Sequence, residues 1–405
     1  MKKILTVLLV LLLCGCNASN NEVIEEKEPE TFNPSTVADK QVAYYVYPIA
    51  DKDGNMVIPL STECGIICTD KDKAKYMQDK FEETIIKYHI LLDPAHEFEG
   101  VNNVKTINDN YGLEPVKVNS ELIELIDNAL TLSELTNGYF NPTIGQVSDV
   151  WKGLFNEEHK NNDPEKEVVS HALTASIPYK QLRDYIILDK ENSTVTFKKY
   201  EDSDLNVIID LGAFSKGYVM DMCYKELLKY KSGFLITAGG SSIITYVEDS
   251  QTDLKWRIGI KNPNTGDSCF IISVKNIAMS SSGDEEQFFI NEEGIRRHHI
   301  LNPYTGYPEN YYRGISLVAD DFAGVLDGLT TAIYSADDKE EIINNVSNYY
   351  NIDIKQAYIT EDDNKNLLLT YNKGIEDILF SIDDMQITDI TKGSLNSSVE
   401  KRGMS

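Results

Sequence analysis

The sequence predicts an α+β fold: a mixed, largely antiparallel sheet with packed helices, arranged as two fused lobes. Three observations support this. The second half alternates short strand-like stretches with few helices, the first half carries two clear helical patterns, and about 390 of the 405 residues remain after a leader, more than one core usually serves.

Lys2 and Lys3 precede the apolar run Ile4 to Leu13, which is too short to span a bilayer and has the length of an export signal. The run ends in Leu12-Leu13-Cys14-Gly15-Cys16, and a small residue before a cysteine at this place resembles the lipobox of bacterial lipoproteins. Residues 1–15 are therefore expected to be removed, leaving Cys16 as a lipid-bearing, palmitate-type anchor on the outer face of the cell membrane. Residues 16–41 read as a disordered acidic tether, because Glu22, Glu25, Glu26, Glu28, Glu30 and two prolines leave too little apolar surface to bury. The main domain is expected over 42–385, followed by a polar tail over 386–405 that frays after Asp389.

A formal net charge of −27, or −29 once Lys2 and Lys3 are lost, argues against binding nucleic acid or an anionic bilayer through a basic patch. Any anionic ligand must be held locally, by helix N-termini, tight turns, single lysines or a metal ion. Beyond Cys14 and Cys16 the chain has Cys64, Cys68, Cys223 and Cys269, whose spacing makes no metal site. Cys64 and Cys68 could be a local disulfide or two buried thiols.

In chain order, Val42 to Tyr47 and Gly65 to Cys68 read as strands. Lys71 to His89 reads as a helix, with Tyr76, Phe81, Ile85 and Tyr88 on its apolar face. The clearest amphipathic helix runs from Asn119 to Leu135, with Leu122, Ile123, Ile126, Ala129 and Leu130 turned inward and Asn137-Gly138 as its stop. Asn161 to His171 is charged and is expected to be an exposed insertion. Then follow strands at Val207 to Ile209, Phe234 to Thr237, Trp256 to Ile260, Phe270 to Val274 and Gln287 to Ile290. Helices are expected at Ser215 to Tyr230 and, as the last, at Ala323 to Ser335, with Leu326, Leu329, Thr330 and Ile333 facing inward.

Several segments could carry chemistry. Asp210-Leu211-Gly212-Ala213-Phe214-Ser215-Lys216-Gly217 places an acid at a strand end, small residues at a turn, and a lysine on the first turn of a helix. Such a turn can meet a phosphate through Lys216 and a sugar or ring hydroxyl through Asp210, or it is simply a turn with a surface lysine. Ala238-Gly239-Gly240 is a second such turn, or only a hairpin. Asp327 and Thr331 lie four apart and share a helix face, a partial oxygen shell for Mg²⁺ unless the Asp is solvated and the Thr bonds back to the helix. His298-His299 precedes the Pro303-Tyr304-Thr305-Gly306 loop and offers a proton acceptor near neutral pH.

In order, Thr136-Asn137-Gly138-Tyr139-Phe140-Asn141-Pro142-Thr143, Trp151, Asp210 to Gly217, Ala238 to Gly240, Ser281-Ser282-Gly283-Asp284, the histidine loop and Asp327 to Thr331 form one pattern. It resembles the FAD:protein FMN transferase family, also called the ApbE family, over about residues 60 to 380. The resemblance implies an ApbE-like, T-fold-related architecture and a Mg²⁺-dependent transfer of FMN from FAD to a Ser or Thr hydroxyl of a target flavoprotein, releasing AMP. It places the flavin pocket on Tyr139, Phe140 and Asn141 with Ile300 nearby, and other parts of FAD on Asp210 and Lys216. It places the metal on the Ala213 carbonyl, Asp327 and Thr331. It makes His299 the candidate base, with Asp284 orienting nearby groups.

The chain departs from the family pattern in three carboxylates made neutral, Asn141, Ser241 and Asn302. Cys64-Gly65-Ile66 also stands where Met-Gly-Thr is usual, with Phe98 as the expected aromatic contact. An Asn keeps a hydrogen bond but carries no charge. Two alternatives share these residues: a Mg²⁺-dependent FAD pyrophosphatase yielding FMN and AMP, and a non-catalytic flavin-binding lipoprotein.

Overall fold

The computed structural model describes residues 42–155, 162–249, 254–382 and 389–392. The expectations for the signal, Cys16 and the tether lie outside the described residues, as do Asn161 and most of the tail. Among the described residues no helix is long and apolar enough to cross a membrane.

The fold is α+β, as the sequence predicts. Nine strands form one sheet whose spatial order follows chain order: Val42–Tyr45, Cys64–Cys68, Phe234–Ala238, Ser242–Tyr246, Ile277–Gly283, Gly314–Ala319, Lys355–Glu361, Leu367–Tyr371 and Asp389–Lys392. Neighbours are antiparallel except the last pair, which is parallel. Cores lie on both faces. Cys64, Ile66 and Cys68 pack with Phe234, Ile236 and Ala238 toward the helices. Ile67 and Leu235 point the other way, toward a small sheet of Trp256–Lys261, Ser268–Val274 and Leu379–Ile382. Burial on both faces explains why these strands read as unbroken apolar runs rather than as alternating ones.

The Lys71–Leu92 helix is capped by Asp70, which accepts from the Asp72 amide at 3.0 Å. Tyr76, expected inward, is 66% exposed, and Met77 takes its place in the core. The Ser120–Leu135 helix starts as expected, with Asn119 accepting from the Glu121 amide at 2.9 Å. It ends where Asn137 and Gly138 adopt φ of 51° and 82°. Cys64 and Cys68 are buried free thiols. They sit at the two ends of one strand, roughly 13 Å apart at strand rise, beyond disulfide reach.

Some elements differ from expectation. Val207 to Ile209 belongs to no sheet. The Asn108 side chain serves it as a one-residue partner, bonding the Ile209 carbonyl at 3.0 Å and its amide at 2.9 Å. The next helix spans Gly212–Leu227 and so starts earlier, because Asp210 accepts from the Gly212 amide at 2.8 Å. The charged insertion contains a Lys166–Leu173 helix with Val169 and Ala172 buried, and Asp163 pairs with Arg297 at 2.5 Å. Ala323–Ser335 has the expected bounds and inward residues but is not the last helix, since Lys339–Tyr350 and Lys373–Ile378 follow. Asp389–Lys392 forms an edge strand rather than a frayed end.

The Gly212–Leu227 and Ala323–Ser335 helices cross backbone to backbone. A Cβ on Gly217 would run into the Ala323 carbonyl, and one on Gly324 would lie 2.8 Å from the Tyr218 Cα. Asp221 caps the second helix, accepting from the Ala323 and Gly324 amides at 2.8 and 2.9 Å. Burial pushes the Asp221 carboxyl up to about 7, against the pull of those two amides.

The Asp221→Ala variant leaves two buried amides without an acceptor and is expected to lose about 2–4 kcal/mol of stability by urea unfolding. Because the folded pKa lies above that of an unfolded aspartate, ionisation weakens the fold, and stability contributed by this group falls as pH rises from about 4 to about 7. The Asp221→Asn variant is expected to flatten that dependence; an unchanged slope contradicts it.

Candidate active site

The crossing forms the floor of one cavity of about 920 Å³, large enough for a dinucleotide. The N-terminal part of the Gly212–Leu227 helix brings Ala213 and Lys216 to it, and the Ala323–Ser335 helix brings Asp327 and Thr331. Asp327 is only 3% exposed. Its carboxylate accepts from the Gly217 amide at 3.0 Å and the Ser280 hydroxyl at 3.2 Å, with the Lys216 ammonium 4.0 Å away. In a regular helix the Gly217 amide would serve the carbonyl of Ala213. That amide also donates to Asp327, and Ala213 itself lines the cavity. Thr331 donates weakly to the Asp327 carbonyl at 3.4 Å, so its hydroxyl oxygen keeps lone pairs for a ligand.

These groups fit Mg²⁺ of the kind completed by substrate: one carboxylate, one hydroxyl and one carbonyl, with phosphates and water supplying the rest. Among the described residues no group of three or more His, Cys, Asp or Glu could hold a metal without such help.

Asp210 lines the cavity with its Oδ1 tied to the Gly212 amide and its Oδ2 3.3 Å from the Lys152 ammonium. Tyr139, Phe140, Asn141 and Ile300 line the same space. Phe140 is fixed against Phe214, with ring centroids 6.0 Å apart.

The two histidines divide. The strand Arg296–His298 turns His298 inward, where Nε2 lies 2.9 Å from the Glu309 carbonyl and Nδ1 accepts from Ile300. Burial pushes its pKa down to about 4. His299 faces the cavity, its own amide held by the Gln287 carbonyl at 3.1 Å. The protein walls around it, and then the Lys216 charge, push its pKa below the usual histidine value, so it is neutral at pH 7.

Asp284 is not brought into the cavity. It lies buried behind the wall, pairing with Arg313 at 2.7 Å and Arg296 at 3.3 Å. Burial raises its pKa and the two arginines oppose that rise. Phe98 is likewise outside, edge-on to His89 with centroids 5.7 Å apart.

The neutral replacements have local partners. The Asn141 amide donates to the Ile177 carbonyl at 2.9 Å while its oxygen accepts from the Thr143 amide and hydroxyl. Asn302 donates to Glu309 at 3.0 Å, a contact that an aspartate would turn into carboxylate against carboxylate. The Ser241 hydroxyl donates to the Ala238 carbonyl at 3.2 Å.

Sequence reasoning missed Lys152, Ser280 and a histidine pair at His89 and His96, all near or on the cavity wall. Lys152 follows Trp151 on a short helix, a position without a pattern of its own. Ser280 heads the Ser280-Ser281-Ser282 run, whose small hydroxyl residues were the available signal.

The ApbE family model matches residues 60–352. The FAD:protein FMN transferase of Treponema pallidum is 25% identical over 261 residues, covering 62% of this chain and 69% of that protein. That of Haemophilus influenzae is 26% identical over 267 residues, covering 64% and 74%. The crystal structure of the ApbE protein from Thermotoga maritima superposes with a TM-score of 0.66 at 25% identity, over 84% of this chain and all (100%) of that one. The flavin transferase ApbE from Vibrio cholerae, at 18% identity and a TM-score of 0.62, shares the fold over 84% of this chain and 99% of its own. With most of its length matched by that family model, the chain belongs to the ApbE family.

Proposed function

We propose that this protein moves FMN from FAD to a hydroxyl group of an acceptor protein, a Ser or Thr side chain, with AMP as the leaving group. The observation that carries this reading is the meeting of Ala213, Lys216, Asp327 and Thr331 with His299 and the Tyr139 to Asn141 segment in one cavity.

Lys216 places a cation against the FAD diphosphate, supported by the Asp327 carboxylate 4.0 Å from it. Asp210, pinned by the Gly212 amide, keeps an oxygen available for a hydroxyl of the ligand. Phe140 and Ile300 give a dry wall and Tyr139 an aromatic one for the flavin ring. His299 takes the proton of the acceptor hydroxyl as that oxygen attacks the FMN phosphorus. The bond from phosphorus to the bridging oxygen breaks, and its electron pair leaves on AMP. Mg²⁺, held by Asp327, Thr331 and the Ala213 carbonyl, would neutralise the negative charge of the diphosphate.

The export signal and Cys16 support a lipid tether that holds this domain outside the cell membrane. Labelled palmitate is expected on the wild-type chain and absent from Cys16→Ala; equal labelling of both contradicts the anchor.

With an acceptor domain, FAD and Mg²⁺, the protein is expected to release AMP and leave FMN on the acceptor by mass spectrometry. Free FMN alone would make it a pyrophosphatase, and bound FAD without AMP only a binder. EDTA and Asp327→Asn, which keeps an acceptor for the Gly217 amide, are each expected to slow transfer roughly hundredfold or more.

The pH profile reads the base. Since His299 works in its neutral form and burial lowers its pKa, the acid limb of transfer is expected at lower pH than an ordinary histidine would give. His299→Ala is expected to lose about 10²-fold or more in rate together with that acid limb. A limb that persists in the variant assigns the base elsewhere.

A further inference from the structure

The strand Ile277–Gly283 packs against the Ala323–Ser335 helix, and alternate residues of the strand face that helix. Ala278 does so in an apolar layer with Ile315, Leu317, Leu326, Leu329 and Ile333. Ser280 and Ser282 continue the same face, while Ser281 points the other way and pairs with Ser316 at 2.8 Å. A hydroxyl in such a layer costs stability unless it is hydrogen-bonded, and packing alone would be served by alanine, as it is at Ala278. The two serines therefore need partners, and both find them around Asp327.

Two hydroxyl relays end on that residue. Ser242 and Ser280, both fully buried, stand 3.4 Å apart, and Ser280 lies 3.2 Å from the Asp327 Oδ1. A carboxylate only accepts, so the Ser280 hydrogen is spent on Asp327 and Ser242 donates to Ser280. With the Gly217 amide donating to Oδ2 from the neighbouring helix, the carboxylate is held against rotation. In the second relay the Thr330 hydroxyl donates to the Asp327 main-chain carbonyl at 2.8 Å and accepts from Ser282 at 2.8 Å. Thr331 reaches the same carbonyl only at 3.4 Å. A helical threonine ordinarily bonds back to the carbonyl one turn earlier. Here the Ser282 hydrogen bond commits Thr330 to that oxygen, and Thr331 is left loosely held at the cavity wall.

We propose that Ser280 and Ser282 are positioning residues for the two side chains that hold Mg²⁺. Ser280 fixes the rotation of the Asp327 carboxylate, and Ser282, acting through Thr330, keeps the Thr331 hydroxyl off the backbone and open to the metal. Their role rests on the Mg²⁺ reading above and belongs to groups that never touch the ion but orient those that do. Because hydroxyls in a chain polarise one another, loss of either serine also weakens the bond that follows it in the relay.

The test is FAD binding by the full chain, read by flavin fluorescence without acceptor protein, in EDTA and across a Mg²⁺ series. Ser280→Ala and Ser282→Ala are each expected to raise the Mg²⁺ concentration that half-maximally tightens FAD binding roughly tenfold, with FAD affinity in EDTA changed less than about twofold. Thr330→Val keeps the shape but removes both the acceptor for Ser282 and the donor to the Asp327 carbonyl, and is expected to act like Ser282→Ala. Ser316→Ala breaks the hydroxyl pair on the other face of the same sheet and is expected to leave the Mg²⁺ requirement unchanged. An unchanged Mg²⁺ requirement in either folded serine variant or in Thr330→Val would overturn the inference. So would FAD affinity in EDTA falling as far as affinity in Mg²⁺, or an equal shift in Ser316→Ala, since either would mean a general loosening of the sheet. Wild-type FAD binding that ignores Mg²⁺ would instead overturn the Mg²⁺ reading itself, and this inference with it.

Discussion

Where the Gly212–Leu227 and Ala323–Ser335 helices cross, each sends a buried carboxylate to the backbone of the other. Asp221 takes the first amides of the second helix, and Asp327 takes the Gly217 amide of the first. The contact needs glycine on both sides, at Gly217 and Gly324. Every group proposed to hold the diphosphate and Mg²⁺ hangs from this crossing, with Ala213 and Lys216 on one helix and Asp327 and Thr331 on the other. The Asp327 carboxylate that helps lock the helices also lines the cavity, which ties the strength of the packing to the shape of the site.

An acidic chain of net charge −27 that binds a doubly charged diphosphate must concentrate its cations. Lys216 and Lys152 do this at the cavity wall, each against a carboxylate, at 4.0 Å from Asp327 and 3.3 Å from Asp210. Such pairs keep the site ordered before binding and offer charge that phosphates can compete for. The neutral Asn141 and Asn302 take little from this balance, because their amide groups donate to the Ile177 carbonyl and to Glu309.

The sequence made some of this legible and some not. The Ala323–Ser335 helix could be read with its bounds, since its inward residues repeat at helical spacing, and the same spacing put Asp327 and Thr331 on one face. Strands such as Ser242–Tyr246, Ile277–Gly283 and Gly314–Ala319 were not read, because small and hydroxyl residues such as Ser242, Thr245, Ser280, Ser281, Ser282 and Ser316 break the apolar run without setting up an alternation. Val207 to Ile209 has strand composition, yet its partner is a side chain, Asn108, about a hundred residues earlier, which no local pattern encodes. His299 was singled out from His298 by the family resemblance, while the strand register that turns the two apart has no local signal, and the His89, Asp93 and His96 network depends on a helix C-terminus folding back on the loop at Leu60. Asp284 looked chemical in its Ser-Gly-Asp setting, but two distant arginines draw it behind the wall.

The dependence of the site on the helix crossing is tested most directly by FAD titration of Gly217→Ala, at a temperature where circular dichroism shows the variant folded. Since a Cβ there must push the Ala323 backbone away, the account predicts FAD affinity lower by roughly tenfold or more with the secondary structure retained. Unchanged affinity in a folded Gly217→Ala protein would contradict it, and would mean that the ligand is held by groups that do not depend on the crossing.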